Sequence, residues 1–194
     1  MSKRPILYFD LGSPYAHLAL ARAPAVLGEE PQPRPVLLGA IFARRGFGSW
    51  AATRAREGRI AELEARAARY GVPLRWPAVW PADGLKAMRA ATWAKREGRG
   101  AAFARAAFAA QFAAGADIAD VAVLAECARE AGLDAGELPE ALRDAAVKQE
   151  LREATEAAWS AGVRGVPSIQ IGEAIFFGDD QLELAALTLA DRAQ

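Results

Sequence analysis

The order of the predicted strands and helices is the feature that most constrains how this 194-residue chain can fold. Short apolar runs at 5–9 and 35–38 predict two buried strands that flank a helix over 14–27. This β-α-β order favours parallel pairing of the two strands. Near the other end, alternation over 167–178 with a Gly-Glu turn predicts a hairpin, and a closing helix over about 181–190 follows it.

The middle of the chain predicts helices and little strand. Ala-rich segments with capping residues and glycine stops indicate helices at 57–70, 85–97, 101–113, 121–131 and 142–160. The succession β-α-β, all-helical block, β-β-α therefore predicts an α/β, thioredoxin-like fold with a large all-helical insertion. We expect residues 1–45 and 162–194 to form a discontinuous thioredoxin-like domain and 46–161 to form the helical insertion domain.

Composition excludes several classes of partner. Apolar residues make up 53% of the chain, which is enough for a buried core. Basic and acidic residues balance at 24 each, so no nucleic acid or anionic membrane partner is expected. No apolar run reaches about 18 residues and no export signal is visible, so we expect no membrane span and a cytoplasmic protein.

The single cysteine and the single histidine limit the chemistry of any site. Cys127 has no second thiol to pair with, which excludes an internal disulfide and dithiol redox chemistry. Its helical, Ala-rich surroundings favour a small buried apolar residue. A zinc site with two cysteine ligands is also excluded, and no metal is expected. Any nucleophile paired with a histidine would need His17.

The predicted first helix begins at Ser13-Pro14, a position where chains with such a strand and helix often carry Cys-x-x-Cys. The simple interpretation is structural, because serine is a good N-cap and proline is well tolerated at the first helical position. The functional interpretation is that the helix N-terminus and the Ser13 hydroxyl stabilise an anion. With no cysteine at this position, the thiolate would have to come from outside, and glutathione is the candidate.

Two further segments near the C-terminus complete the predicted site. In thioredoxin-like folds a cis proline before the third strand faces the first helix, and Val166-Pro167 fits that position. The backbone of Val166 could pair with an extended peptide such as glutathione. Asp179 and Asp180 precede the last helix, where Asp180 alone would suffice as an N-cap and the pair could also meet an ammonium group.

Three motifs carry a resemblance to a known family: "YFDxxSPY" from residue 8, "GVxGVPS" from 162 and "FFGxDxLEL" from 176. Together they strongly resemble the 2-hydroxychromene-2-carboxylate isomerases, which belong with the kappa-class glutathione transferases among DsbA-like proteins. The resemblance spans nearly the full chain. It includes "PVLLGAIF" at 35–42 and "DIADVAVLAECAREAGLD" at 117–134.

The resemblance implies a glutathione-dependent cis-trans isomerase of an aromatic 2-hydroxychromene-2-carboxylate-type substrate, working by thiolate addition and elimination. In that family the serine matching Ser13 holds the glutathione sulfur as thiolate. The residue matching Val166, before Pro167, pairs with the cysteinyl backbone. The acid matching Asp180, with Asp179 beside it, meets the γ-glutamyl group. A homodimer is also implied by the resemblance alone.

The chain departs from the family around 46–58, where relatives carry an asparagine, a lysine and a tyrosine near glutathione. This chain has no asparagine, and Arg54 or Arg56 is the candidate to replace the lysine, since arginine binds carboxylates well. The remaining candidates form a predicted substrate pocket. They are Tyr15, His17, Phe47, Trp80 and Asp83.

Two alternative functions remain open. A kappa-like glutathione transferase would use the same glutathione site and leave glutathione on the product. A catalytically inactive DsbA-like scaffold that binds a peptide or protein is the non-enzymatic alternative, and absence of glutathione binding would favour it.

Overall fold

A mixed sheet with the strand order β2-β1-β3-β4 organises the structure, a computed structural model that describes residues 4–46 and 48–192. The strands are β1 (Ile6–Phe9), β2 (Gln32–Pro35), β3 (Ser168–Ile171) and β4 (Ala174–Phe177). β1 pairs in parallel with β2 and antiparallel with β3, which forms the predicted hairpin with β4. The parallel pairing expected of the first two strands is therefore confirmed.

The second strand lies earlier in the chain than predicted. The expected strand at 35–38 is wrong, because β2 covers Gln32–Pro35 and its register places Gln32 beside Ile6 and Pro35 beside Phe9. Prolines are accepted in this strand because it lies at the edge of the sheet. The apolar residues after it begin helix α2 (Leu38–Arg45), which the sequence analysis did not predict.

Helix α1 (Pro14–Leu27) has the predicted bounds. Ser13 caps its first turn, and Gly28 ends it in the left-handed conformation (φ 73°), which glycine adopts without steric cost. This helix packs against α9 (Leu182–Asp191), the closing helix of the chain, and a single 3-10 turn at Asp179–Gln181 precedes α9.

The predicted middle helices are present with shifted ends. They are α3 (Arg56–Tyr70), α4 (Leu85–Arg96), α5 (Gly100–Phe108, continued by a π-helical turn at Ala109–Ala113), α6 (Val121–Glu130) and α8 (Ala145–Ser160), and a further short helix, α7 (Leu138–Ala141), was not predicted. The helix expected from residue 142 begins instead at Ala145, because the side chain of Asp144 accepts the N–H of Ala146 at 2.7 Å as a cap.

The helical middle and the sheet share one apolar core. Its buried side chains include Leu7 and Phe9 of β1 together with Phe103 and Phe108 of α5, and α4, α5 and α8 contact β2. This architecture confirms a thioredoxin-like fold with a helical insertion. The division at residues 45/46 and 161/162 into two domains stays a prediction. None of the helices among the described residues is long and apolar enough to span a membrane.

Candidate functional site

A cavity of about 800 Å³ opens at the N-terminus of α1. The first turn of α1, helix α2, the start of the insertion, the loop before β3 and the turn after β4 all contribute to its wall. The lining residues are Gly12, Ser13, Pro14, Tyr15, Leu38, Phe42, Arg45, Gly48, Ser49, Trp50, Ala52, Thr53, Arg59, Arg66, Trp80, Gly165, Val166, Pro167, Phe177, Gly178, Asp179 and Asp180. Segments distant in sequence thus meet around one space, as in most ligand sites.

Ser13 lies at the floor of this cavity and is 5% exposed. Its Oγ accepts the N–H of Ala16 at 3.3 Å, which confirms the predicted cap. As an acceptor in that bond, the hydroxyl keeps its own proton for donation elsewhere. In the first turn, Pro14 has no N–H, and the N–H groups of Ala16 and His17 donate to Ser13. The N–H of Tyr15 has no acceptor among the described residues. Two donors therefore remain at the helix start for an anion.

Asp10, which was not predicted from the sequence, joins the turn before Ser13 to the start of α2. Its Oδ1 accepts the N–H of Gly12 and its Oδ2 accepts the N–H of Leu38, both at 2.9 Å. Burial raises the pKa of Asp10, and these two bonds oppose that rise. The position directly after an apolar strand was the available signal, because a carboxylate there can bind the free N–H groups of the following turns.

The loop before β3 brings Val166 and Pro167 to the cavity, as predicted. The Val166–Pro167 peptide bond is cis, which confirms that expectation, and Val166 is 6% exposed. Its N–H and C=O have no hydrogen-bond partner among the described residues. The N–H of Gly178 donates to the carbonyl of Pro167 at 3.0 Å and so keeps the acidic turn beside this loop.

The two acids of that turn have different surroundings. Asp179 is 1% exposed; its Oδ1 lies 2.8 Å from Nη1 of Arg66, and its Oδ2 is buried without a hydrogen-bond partner. Burial raises the pKa of Asp179, Arg66 opposes that rise and Asp180 adds to it. Asp180 is half-exposed at the cavity wall, 3.8 Å from Arg66. It forms no side-chain cap on α9, so its predicted capping role is wrong.

The arginines that line the cavity are not the two that were predicted. Arg54 is exposed and outside the cavity, and Arg56 donates to the carbonyls of Ala51 and Trp80. Arg45 at the end of α2 is one of the arginines that line the cavity, and Arg59 and Arg66 of α3 are the other two. They stand seven residues apart and thus share one face of α3, which was the signal that could have found them.

Glu62 joins these two arginines along α3. Its Oε2 lies 3.0 Å from Arg59, and its Oε1 lies 2.6 Å from Arg66. Together with the bond from Arg66 to Asp179, these contacts form a line of alternating charges from the insertion to the acidic turn.

Aromatic side chains form the apolar wall, and two of the predicted pocket residues are among them. Tyr15 stands edge-on to Trp50, with ring centroids 6.1 Å apart, and Trp50 contacts Trp80 at 5.2 Å. Burial and the nearby Glu62 raise the pKa of Tyr15 against the pull of Arg59 and Arg66, so its hydroxyl is protonated at neutral pH. Phe47, also predicted for this pocket, lies outside the described residues.

The structure places His17 and Asp83 away from the cavity. His17 is 6% exposed, packs between Phe108 and Phe112, and its Nε2–H donates to the carbonyl of Pro73 at 2.9 Å. Burial lowers its pKa. Asp83 is exposed at the start of α4, where its Oδ1 accepts the N–H of Leu85 at 3.1 Å. Neither side chain belongs to the cavity wall: His17 supports the loop at Pro73, and Asp83 caps the start of α4.

No cluster of three His, Cys, Asp or Glu side chains capable of holding a metal occurs in the part of the chain that the structure describes. Cys127 is buried in the core, and burial raises its pKa to about 11. Its thiol therefore stays protonated at neutral pH and lies apart from the cavity.

Comparison with known proteins shows the family to which the chain belongs. Residues 6–190 match the DsbA-like thioredoxin domain. A 2-hydroxychromene-2-carboxylate isomerase of Sphingobium xenophagum is 32% identical over 197 residues, covering 98% of this chain and 100% of that protein. The chain belongs to the 2-hydroxychromene-2-carboxylate isomerase family of DsbA-like proteins.

Two solved structures support the same fold assignment for this family member. A 2-hydroxychromene-2-carboxylate isomerase superposes with a TM-score of 0.88 at 21% identity, over 98% of this chain and 96% of that one. The cytosolic disulfide reductase DsbM from Pseudomonas aeruginosa, solved with GSH, gives 0.62 at 19% identity over 98% of each chain. At these identities the likeness concerns the fold.

Proposed function

We propose that this isomerase-family protein uses glutathione to interconvert cis and trans isomers of an aromatic 2-hydroxychromene-2-carboxylate-type substrate. One observation carries the proposal: Ser13, Val166-Pro167 and the acidic turn, far apart in sequence, line a single cavity in which each offers unused polar groups. The cavity volume of about 800 Å³ lies within the roughly 300–1,000 Å³ range of small-molecule sites.

Ser13 would hold the sulfur of the cofactor as a thiolate. Its hydroxyl proton is available, since Oγ acts as the acceptor toward Ala16, and the N–H of Tyr15 adds a second donor. A hydrogen bond to a charged group contributes about 1.5–3 kcal/mol, which corresponds to a thiol pKa lower by roughly one to two units. Such a shift makes a large fraction of the thiol ionised near neutral pH.

Val166 would bind the cysteinyl part of the tripeptide. Its buried N–H and C=O have no partner among the described residues, and an extended peptide laid beside them satisfies one donor and one acceptor. Buried polar backbone groups are normally paired, so their orphan state supports a ligand at this edge.

The acidic turn and α3 would bind the charged ends of the tripeptide. Asp180, half-exposed beside Asp179, is an acceptor for the ammonium of the γ-glutamyl group. Arg59, which lines the cavity with a half-exposed side chain, can bind a carboxylate with its planar guanidinium. Arg59 thus takes the carboxylate-binding role that the sequence predicts for Arg54 or Arg56.

The aromatic wall of Tyr15, Trp50 and Trp80 suits a planar aromatic substrate next to Ser13. When bound, glutathione supplies a thiolate that adds to a conjugated double bond and leaves after rotation about the resulting single bond. The contribution of the protein is to hold both partners close, exclude water and keep the Ser13 hydroxyl donor in place.

The test is calorimetric titration of glutathione into wild type, Ser13→Ala and Ser13→Thr, with thiolate absorbance recorded as a function of pH. We expect wild type and Ser13→Thr to bind glutathione as thiolate near neutral pH, and Ser13→Ala to raise the thiol pKa by about one to two units. The protein itself contributes no thiolate near neutral pH, because burial raises the pKa of Cys127 to about 11. Equal thiol pKa values in wild type and Ser13→Ala would contradict the role of Ser13.

Product analysis separates the enzymatic alternatives. Isomerised aromatic acid with glutathione regenerated supports the isomerase, whereas glutathione retained on the product indicates a kappa-like transferase. A wild-type protein that binds no glutathione at millimolar concentration favours the inactive scaffold. The homodimer and the cytoplasmic location stay predictions.

A further inference from the structure

Trp80 makes a directed contact with the loop that leads into Ser13. Its indole Nε1–H donates to the carbonyl of Gly12 at 3.2 Å, and the residue is 8% exposed in the cavity wall. The contact joins the start of the helical insertion to the thioredoxin-like part of the chain. A buried indole N–H needs an acceptor, and here that acceptor is the carbonyl directly before Ser13.

The peptide group between Gly12 and Ser13 is held at both ends. Its carbonyl accepts from Trp80, and its N–H, on Ser13, donates to the carbonyl of Asp10 at 3.0 Å. The plane of this peptide fixes the φ angle of Ser13 (−97°), and with it the direction in which the Cα–Cβ bond carries the hydroxyl at the helix start. Trp80 therefore supplies one of the two bonds that fix this plane.

Arg56 in turn holds Trp80. One of its Nη atoms donates to the carbonyl of Trp80 at 3.0 Å and the other to the carbonyl of Ala51 at 3.3 Å. Its guanidinium carbon lies 5.4 Å from the centre of the Trp80 ring, within cation–π range. Arg56 thus ties the segment around Trp50 to the Trp80 loop without reaching the cavity.

We propose that Trp80 and Arg56 are positioning residues for Ser13, with Arg56 holding Trp80 and the Trp80 indole holding the Gly12 carbonyl. This inference rests on the proposed thiolate-binding role of Ser13. It also gives Arg56 a different task from the carboxylate binding expected from the sequence.

The bond serves thiolate binding in two ways. It keeps the Ser13 hydroxyl aimed into the cavity, and a donor held in place does not have to reorganise when an anion arrives. The indole N–H also partly offsets the negative charge on the Gly12 carbonyl oxygen. This oxygen therefore repels a neighbouring thiolate less. Removing the indole N–H therefore raises the pKa of the bound thiol.

The experiment compares Trp80→Phe, Arg56→Met and Arg56→Lys with wild type by the pH titration of bound glutathione thiolate. Trp76→Phe is the matched control, because it removes an indole N–H from the same aromatic cluster that donates to Glu64 rather than to Gly12. We expect Trp80→Phe to lower the thiolate-to-thiol ratio roughly two- to tenfold at fixed pH. Arg56→Met should shift it in the same direction and Arg56→Lys partly restore it.

The double variant Trp80→Phe with Arg56→Met should match Trp80→Phe alone, because Arg56 acts through the indole. Additive effects, or an equal shift in Trp76→Phe, would overturn the proposal. Hydrogen exchange of the Ser13 and Ala16 amides in the ligand-free protein provides a second readout. Faster exchange in Trp80→Phe and Arg56→Met, but not in Trp76→Phe, is expected, and unchanged exchange overturns the positioning role.

Glutathione binding and the positioning of Ser13 are tested by separate outcomes. Wild type that binds no glutathione overturns the proposed function, and the exchange measurement still decides whether Trp80 fixes Ser13. Wild type that binds thiolate while Trp80→Phe retains its thiol pKa overturns the positioning role alone.

Discussion

Nη1 of Arg66 lies 2.8 Å from Oδ1 of Asp179, across the cavity wall from α3 to the turn before α9. The carboxyl is 1% exposed and the guanidinium side chain 22% exposed, so the pair is shielded from solvent. Arg22 holds the same turn from α1 by donating to the carbonyl of Asp179 at 3.1 Å. The acidic turn is therefore fixed by helices from both parts of the chain.

We expect the Arg66–Asp179 pair to make the free energy of unfolding depend on pH. Burial raises the pKa of Asp179 above its ordinary 3.8, so the folded state binds the proton more tightly than the unfolded state. The stability that protonated Asp179 contributes is therefore present below pH 3.8 and is lost as the pH rises through the higher pKa of the folded state. Arg66→Met removes the partner of the charged form, and we expect it to cost roughly 3 kcal/mol at pH 7 and much less at pH 3.

Urea unfolding of wild type, Arg66→Met, Asp179→Asn and the double variant at pH 3 to 7 measures this dependence. In the Asp179→Asn background, the cost of Arg66→Met should grow much less with pH, because only the more exposed pairs of Arg66 with Glu62 and Asp180 remain. Arg59→Met is a suitable control, because its half-exposed pair with Glu62 is worth at most about 1 kcal/mol. A cost of Arg66→Met that is the same at every pH would contradict the coupling to Asp179.

We expect His17 to make the stability of the protein depend on pH in the opposite direction, at higher pH. Burial lowers its pKa below 6.5, so the unfolded state binds the proton more tightly and the protein gains stability as the pH rises from the folded-state pKa to 6.5. We expect His17→Gln, whose amide can still donate to the carbonyl of Pro73, to lack this gain. Urea unfolding between pH 5 and 8 measures it, and His17 is the only histidine of the chain. An NMR titration giving a pKa at or above 6.5 would refute the prediction.

We expect a side chain at position 165 to crowd the rim of the cavity. A Cβ at this position would lie 2.5 Å from Cε2 of Phe177, a ring that is 56% exposed. Because the exposed ring can turn away, we expect Gly165→Ala to cost less than about 1 kcal/mol of stability yet weaken glutathione binding beside Val166. Calorimetry of Gly165→Ala with and without Phe177→Ala tests this. An equal loss of affinity in both backgrounds would show that the ring is not the cause.

Much of the fold could be predicted from the sequence, because its signals are local. The bounds of α1 follow from Ser13-Pro14 at one end and Gly28 at the other, and the hairpin turn follows from Gly172. The second strand was misplaced because the apolar run at 35–38 looked more strand-like than Gln32–Pro35. Pairing with β1 selected the polar segment, and no periodicity within four residues could reveal that choice.

The candidate site could be predicted in part. Ser13, Val166, Pro167 and Asp179 were named from motifs and do line one cavity. Arg59 and Arg66 were missed, since many arginines between residues 44 and 69 have equivalent local sequence. Only the orientation of α3 against α1 decides which of its faces meets the cavity.

The amino-acid sequence alone specifies the order of elements, the capped helix start at Ser13 and the absence of a redox thiol beside it. These features depend on residues within one or two turns of one another, and local backbone chemistry decides them. The tertiary structure alone decided that His17 is a buried support, that Arg66 neutralises Asp179 and that Trp80 bonds to Gly12. Each of those contacts joins residues more than fifty positions apart, and only the packing of the whole chain brings them together.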